Sequence, residues 1–185
     1  MEVSNLYRWS GITGIAVGVL NLIVELLPER LGLPIEMFVN ILALGVLTAF
    51  YLRQRAASGV LGWIGYLTQF LGMAMLIGFL FTQAFVLSGF DDTQQAAVLT
   101  GPAGIVTAIG LALTTVGAIL FGIASLRAGV FPKWASLLLM LGFVLAPVGA
   151  AVSPVLRTLG EVSLSAGLWG LSYSLLAGAQ EAKRA

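Results

Sequence analysis

The sequence predicts an all-α integral membrane bundle, and three observations support this prediction. Hydrophobic residues make up 59% of the chain and charged residues only 9%, whereas a soluble domain is about a quarter charged. The apolar runs are long and lack the alternating polar residues of a membrane barrel, and a helix satisfies its backbone within one segment. At roughly 20 residues and a short loop per span, the length predicts about six transmembrane helices in a single transmembrane domain.

The apolar runs also place the predicted spans. Proline marks several of their boundaries: the first run stops at Pro28, while Pro34, Pro102 and Pro132 lie near the starts of later runs, where a missing N–H costs little. The first run lacks a small-residue cleavage site, so it predicts a span rather than a cleavable signal peptide. The predicted spans cover residues 9–27, 34–52, 60–87, 101–126, 132–152 and 162–178.

The basic residues predict the orientation of the bundle. With the N-terminus inside, seven of the nine lysines and arginines fall on inner segments, and only Arg30 and Arg157 fall outside. The positive-inside rule therefore predicts that both termini are cytoplasmic. The acidic pair Asp91 and Asp92 falls on an outer loop, where either residue can cap a short surface helix.

Several residue types that carry chemistry are missing from the sequence. The chain has no cysteine and no histidine, which excludes disulfides, thiolate metal sites, cysteine nucleophiles, histidine bases and histidine-ligated haem. It has no Walker loop, and no aspartate or lysine lies in the middle of a predicted span. We therefore expect no enzymatic activity, no metal and no cofactor. The net charge of +1 gives no bias toward nucleic acid.

Small residues at helical spacing predict where helices touch, because they let backbones approach closely. The first span has Gly11, Gly14, Gly18, Asn21 and Glu25 on one face, and the sixth has a small residue at every fourth position. These seams favour packing within the bundle and leave contacts to another subunit open. The predicted packing residues are Gly14, Gly18, Ala166, Gly170, Ser174 and Gly178. Four other polar residues are expected to bond between helices or to their own backbone: Gln69, Thr107, Thr114 and Thr115.

One polar cluster is a candidate binding site. Asn21 and Glu25 lie one turn apart near the outer end of the first span, and Glu36 and Asn40 lie one turn apart near the outer start of the second. Because a short loop joins these spans, an antiparallel hairpin places Glu25 level with Glu36 and Asn21 level with Asn40. Gln83, near the outer end of the third span, is expected at the same depth.

Such a cluster allows two interpretations. Carboxylates near hydrocarbon are costly and usually face the bundle interior or water, so this pair can hold a proton, a cation or a cationic ligand, with amide oxygens as further ligands. Alternatively, both glutamates simply reach the water of the headgroup region. Glu36 then favours the positive N-terminus of its helix, and Arg30 neutralises either carboxylate.

Three stretches resemble a known group of proteins: YRWSGITGIAVGVL, FPKWASLLLMLGFVLAP and GLWGLSYSLL. They are similar to small multi-pass bacterial membrane proteins of domain-of-unknown-function families. In these a Tyr or Arg leads a glycine-rich first helix, and a Pro-Lys/Arg-Trp step, here Pro132, Lys133 and Trp134, opens a late helix. The resemblance implies six or seven spans in a bacterial inner (plasma) membrane, and it implies no activity.

The sequence leaves two functions open. It favours a structural or accessory subunit that acts through helix contacts, surrounded by membrane lipid, as a homo-oligomer or within a larger membrane complex. The alternative is a small transporter or receptor with a polar, protonatable site near the outer surface, formed by the cluster around Glu25 and Glu36.

Overall fold

The computed structural model describes residues 3–181, and it describes side chains for residues 5–28 and 30–178. This part of the chain is all-helical and contains no β-strand, which confirms the predicted all-α class. A π-helical turn (Thr82–Val86) and a 3-10 turn (Leu87–Gly89) follow the second helix. The α-helices are α1 (Val3–Val24), α2 (Glu29–Phe81), α3 (Asp92–Thr100), α4 (Pro102–Ala128), α5 (Lys133–Val152) and α6 (Pro154–Glu181).

Four helical segments of the described residues are long and apolar enough to cross a membrane. They are Asn5–Val24, Arg30–Gly89, Pro102–Ala128 and Lys133–Val152. Within the described residues, helix α6 is not among them. The chain is therefore a helical bundle with several membrane-crossing candidates, while six spans and cytoplasmic termini stay predictions.

Helix α2 is a hairpin of two antiparallel halves. Its 53 residues contain one non-helical position, Gly59, with φ 57° and ψ −153°, a conformation that side chains with a Cβ rarely adopt. The ring of Tyr66 stacks on Tyr51 at a centroid distance of 4.5 Å, and its hydroxyl lies 3.1 Å from that of Thr48. The predicted second and third spans therefore lie in the two halves, and they are separated by a single glycine rather than by a loop.

The helices form a closed ring. Helix α1 packs against α2, α2 against α4, α4 against α5, α5 against α6, and α6 against α1. Since successive helical segments alternate in direction, the bundle has two distinct ends. We call the end that holds Gly59 and the α4–α5 turn the closed end, and the end where α1 stops and α6 starts the open end.

The small-residue seam of α1 faces α6 along its whole length. A Cβ at Gly14 would meet the Ser172 hydroxyl, and one at Gly18 would meet the Trp169 indole. The indole Nε1 also donates to the backbone oxygen of Ile15 at 3.1 Å. Residues later in α1 contact residues earlier in α6, so the two helices are antiparallel.

The small residues of α6 point in different directions. Gly170 packs against Trp134 of α5, whereas Gly178 lies beside the Arg53 guanidinium of α2. The Ser174 hydroxyl donates to the Gly170 carbonyl of its own helix at 3.1 Å, and Ala166 is half-buried. The four-residue spacing thus does not mark one interface. The α5–α6 contact is made instead through glycines that the sequence analysis did not select, at Gly142, Gly149, Gly160 and Gly167.

A packed apolar core fills the closed end. The rings of Phe50 and Phe131 meet edge to face at a centroid distance of 5.6 Å. Phe121, Leu171 and Leu175 are buried beside them in the same cluster. In a membrane bundle, such packing stabilises the fold through van der Waals contacts between the helices.

Helix α3 starts with the cap that the sequence predicts. The Asp91 carboxylate accepts from the backbone N–H of Gln94 at 2.9 Å, and the Gln94 side chain accepts from the Asp91 N–H at 3.2 Å. This reciprocal pair is a capping box. It orders the connection between α2 and α4 at the open end.

Candidate functional site

A cavity of about 810 Å³ lies inside the helix ring, and all five ring helices contribute to its wall. Its size lies within the range of small-molecule sites, roughly 300–1,000 Å³. The residues predicted as a polar cluster all line it, and the structure brings them together at the open end: Asn21, Glu25, Glu36, Asn40 and Gln83.

An ion pair joins α1 to α6 at the mouth of the cavity. Glu25 follows the last residue of α1, and its Oε1 lies 2.6 Å from Nη2 of Arg157. The Arg157 side chain is 47% exposed and that of Glu25 is 26% exposed, so the mouth is accessible. The expected neutralisation by Arg30 is not what the structure shows, because Arg30 is exposed and does not line the cavity.

A further carboxylate, Glu161, was missed by the sequence analysis. It lies one turn after Arg157 on the same face of α6, and its Oε2 accepts from Nδ2 of Asn21 at 2.8 Å. The predicted sixth span begins one residue later, so Glu161 lies outside every predicted span. A usable signal was present: Arg157 and Glu161 repeat the spacing of Asn21 and Glu25, which matches an antiparallel α1–α6 pair.

Glu36 and Asn40 lie on the part of the mouth that α2 contributes. Asn40 Nδ2 donates to the backbone oxygen of Glu36 at 2.9 Å, and not to the Glu36 carboxylate. Within the described residues, the Glu36 side chain has neither an ion pair nor a hydrogen bond. Glu25 and Asn21, which were expected to lie level with Glu36 and Asn40, make their side-chain contacts with Arg157 and Glu161 of α6.

The mouth carries an excess of negative charge. Among the described lining residues, three carboxylates (Glu25, Glu36 and Glu161) face one guanidinium (Arg157), which leaves two negative charges when all four groups are ionised. Charges interact more strongly in a medium of low dielectric constant than in water. In the described part of the chain, no group of three or more acidic residues is arranged to hold a metal ion.

Below the mouth the wall becomes mainly apolar, although three threonines of α4 also line it: Thr107, Thr114 and Thr115. Along the first half of α2, the lining residues run from Glu36 to Phe50, and along the second half they run from Gln83 to Gln69. Each stretch advances 14 residues, or about 21 Å at 1.5 Å per residue. The side chains between these limits are mainly aliphatic or aromatic: Ala43, Leu47, Met73, Leu76, Phe79 and Leu80. The cavity is therefore a deep apolar pocket with an anionic rim.

No protein-family model, curated protein or solved structure matches the chain. The resemblance to multi-pass bacterial membrane proteins thus stays a prediction.

Proposed function

We propose that this protein binds an amphipathic organic cation in the ring cavity, and that it acts as a small transporter or receptor. The observation that carries the proposal is the combination of an anionic mouth with a deep apolar wall. A cationic group would lie between Glu36 and Glu161, and the apolar part of the ligand would extend toward Phe50. The function consists of binding and release, without catalysis.

Charge supports a cationic ligand. Arg157 is already paired with Glu25, so the two remaining carboxylates lack a basic partner in the described residues. Carboxylates within a helical bundle are costly unless they are paired or hydrated, and a bound cation would offset that cost. A proton can occupy the same oxygens, so protons and cations would compete for the site, as proton-coupled exchange requires.

The shape of the cavity supports a ligand with a substantial apolar part. Its wall draws on every helix of the ring, and Phe50, which lines it, packs edge to face on Phe131. A pocket with an accessible mouth suits a receptor, or a transporter in the conformation that is open at this end. We place the open end on the outer face, with six spans and cytoplasmic termini, as the distribution of basic residues favours. A bacterial inner membrane is what the resemblance to multi-pass bacterial membrane proteins implies.

The accessory-subunit function stays a second prediction. The small-residue seams that favoured this function already pack against other helices of the same chain, because Gly14 and Gly18 face α6 and Gly170 faces α5. Assembly as a homo-oligomer or within a larger complex would therefore use other surfaces.

Two ions of equal shape and opposite charge test the proposal. Tetraphenylphosphonium and tetraphenylborate would be titrated into the purified protein in lipid nanodiscs, with empty nanodiscs as the reference for partitioning into lipid. We expect the phosphonium to bind at least about tenfold more tightly, or about 1.4 kcal/mol, and to raise the melting temperature. Equal binding of both ions, or preference for the borate, would refute the proposed function.

A further inference from the structure

Gln69 provides a polar group at the floor of the cavity. It lies in the second half of α2, about 21 Å from Gln83 along the helix. Gln69 is one of the residues that line the cavity, and it is only 1% exposed. Within the described residues, its Oε1 has no hydrogen-bond partner. An unpaired amide oxygen in such surroundings costs about 1–3 kcal/mol, so the position calls for a partner.

The neighbours of Gln69 do not supply this partner. The backbone of Gln69 packs against Gly117 of α4, and the Thr114 hydroxyl one turn away donates to the Gly110 carbonyl at 2.9 Å. The expectation that Gln69 bonds between helices therefore has no counterpart in the described contacts. Gln54 differs in its oxygen, since its Oε1 accepts from the Ser125 hydroxyl at 2.8 Å, although its Nε2 has no partner within the described residues, and Gln54 does not line the cavity.

We propose that Gln69 forms a second polar subsite, which binds a hydroxyl or amine group at the far end of the ligand. This inference rests on the proposed function and narrows it. The ligand class is then a cation whose apolar segment ends in a hydrogen-bond donor. The donor binds the Gln69 oxygen, the apolar segment contacts the wall, and the cationic group stays among the carboxylates at the mouth.

Matched ligands test the subsite in the unmodified protein. Octyl-, decyl- and dodecyltriphenylphosphonium would be compared in nanodiscs with counterparts that carry a hydroxyl group on the terminal carbon, after subtraction of binding to empty nanodiscs. We expect the hydroxyl to raise affinity roughly tenfold, and only at the chain length that reaches the floor. A hydroxyl without benefit at every length overturns the subsite, and this comparison does not depend on the folding of any variant.

A variant then assigns the effect to one residue. Gln69→Met, which is unbranched and of similar length, is expected to abolish the gain from the hydroxyl while it changes the affinity for the plain alkyl compound less than about twofold. Gln95→Met makes the same chemical change on α3, which does not line the cavity, and should keep the ratio between the two ligands. A gain that persists in Gln69→Met overturns the subsite but leaves the proposed function standing. Failure of every phosphonium to bind overturns both.

Discussion

Replacing Glu36 and Glu161 together by glutamine is expected to weaken tetraphenylphosphonium binding at least about 30-fold, or about 2 kcal/mol. The double variant removes both carboxylates that Arg157 does not pair and leaves the neutral Glu25–Arg157 pair at the mouth. Glutamine keeps the volume of each side chain and can still accept from Asn21. The measurement is a titration in nanodiscs, with tetraphenylborate as the second ligand, because its relative affinity should rise in the same variant.

The control for this variant is Asp92→Asn, which neutralises an exposed carboxylate on α3 that does not line the cavity. It should bind tetraphenylphosphonium as the unmodified protein does. Unchanged cation affinity in the double variant would show that the carboxylates of the mouth are not the cation site.

Gly14→Leu is expected to lower the free energy of unfolding by about 3 kcal/mol. A side chain at Gly14 would meet both the Ser172 hydroxyl of α6 and the Val46 side chain of α2, so α1 would have to move away from both neighbours. Thermal unfolding of the purified variant in nanodiscs, followed by circular dichroism, measures the effect.

Gly45→Leu provides the matched control. Gly45 lies on the exposed face of α2, one residue before Val46, and a Cβ there would meet nothing within 4 Å. Both variants add the same side chain to a membrane helix, but only Gly14→Leu adds it at an interface. Equal losses of stability, or no loss in Gly14→Leu, would contradict the α1–α6 packing.

Much of the fold could be predicted because it depends on local composition. Long apolar runs predict helices wherever they occur, and proline and glycine mark their boundaries. The break at Gly59 was placed in a loop instead, because RQRAAS is polar but remains helical up to the glycine. The spacing of glycines along α1 predicts a single packed face, and Gly14 and Gly18 contact α6 in the structure, although spacing alone does not reveal which helix such a face meets.

Part of the candidate site could be predicted because it depends on residues that are close in the sequence. The α1–α2 hairpin places Asn21, Glu25, Glu36 and Asn40 at one end of the bundle, since a short loop fixes their relative depth. The contribution of α6 depends on the order of helices around the ring, which local periodicity does not encode. Glu161 and the floor residue Gln69 therefore emerged only from the three-dimensional arrangement.

The most direct test of the cavity uses the absence of native cysteine. Ala43→Cys would place one thiol on the cavity wall, two turns below Glu36. The thiol would be treated with two membrane-impermeant methanethiosulfonates, one cationic (trimethylammonium-ethyl) and one anionic (sulfonatoethyl). The ratio of the cationic to the anionic modification rate is expected to be higher at Ala43→Cys than at exposed Thr93→Cys. Tetraphenylphosphonium should slow this modification, and lipid-facing Gly45→Cys should not react. An unreactive Ala43→Cys, or one modified without charge preference or protection, would contradict a cation-binding cavity.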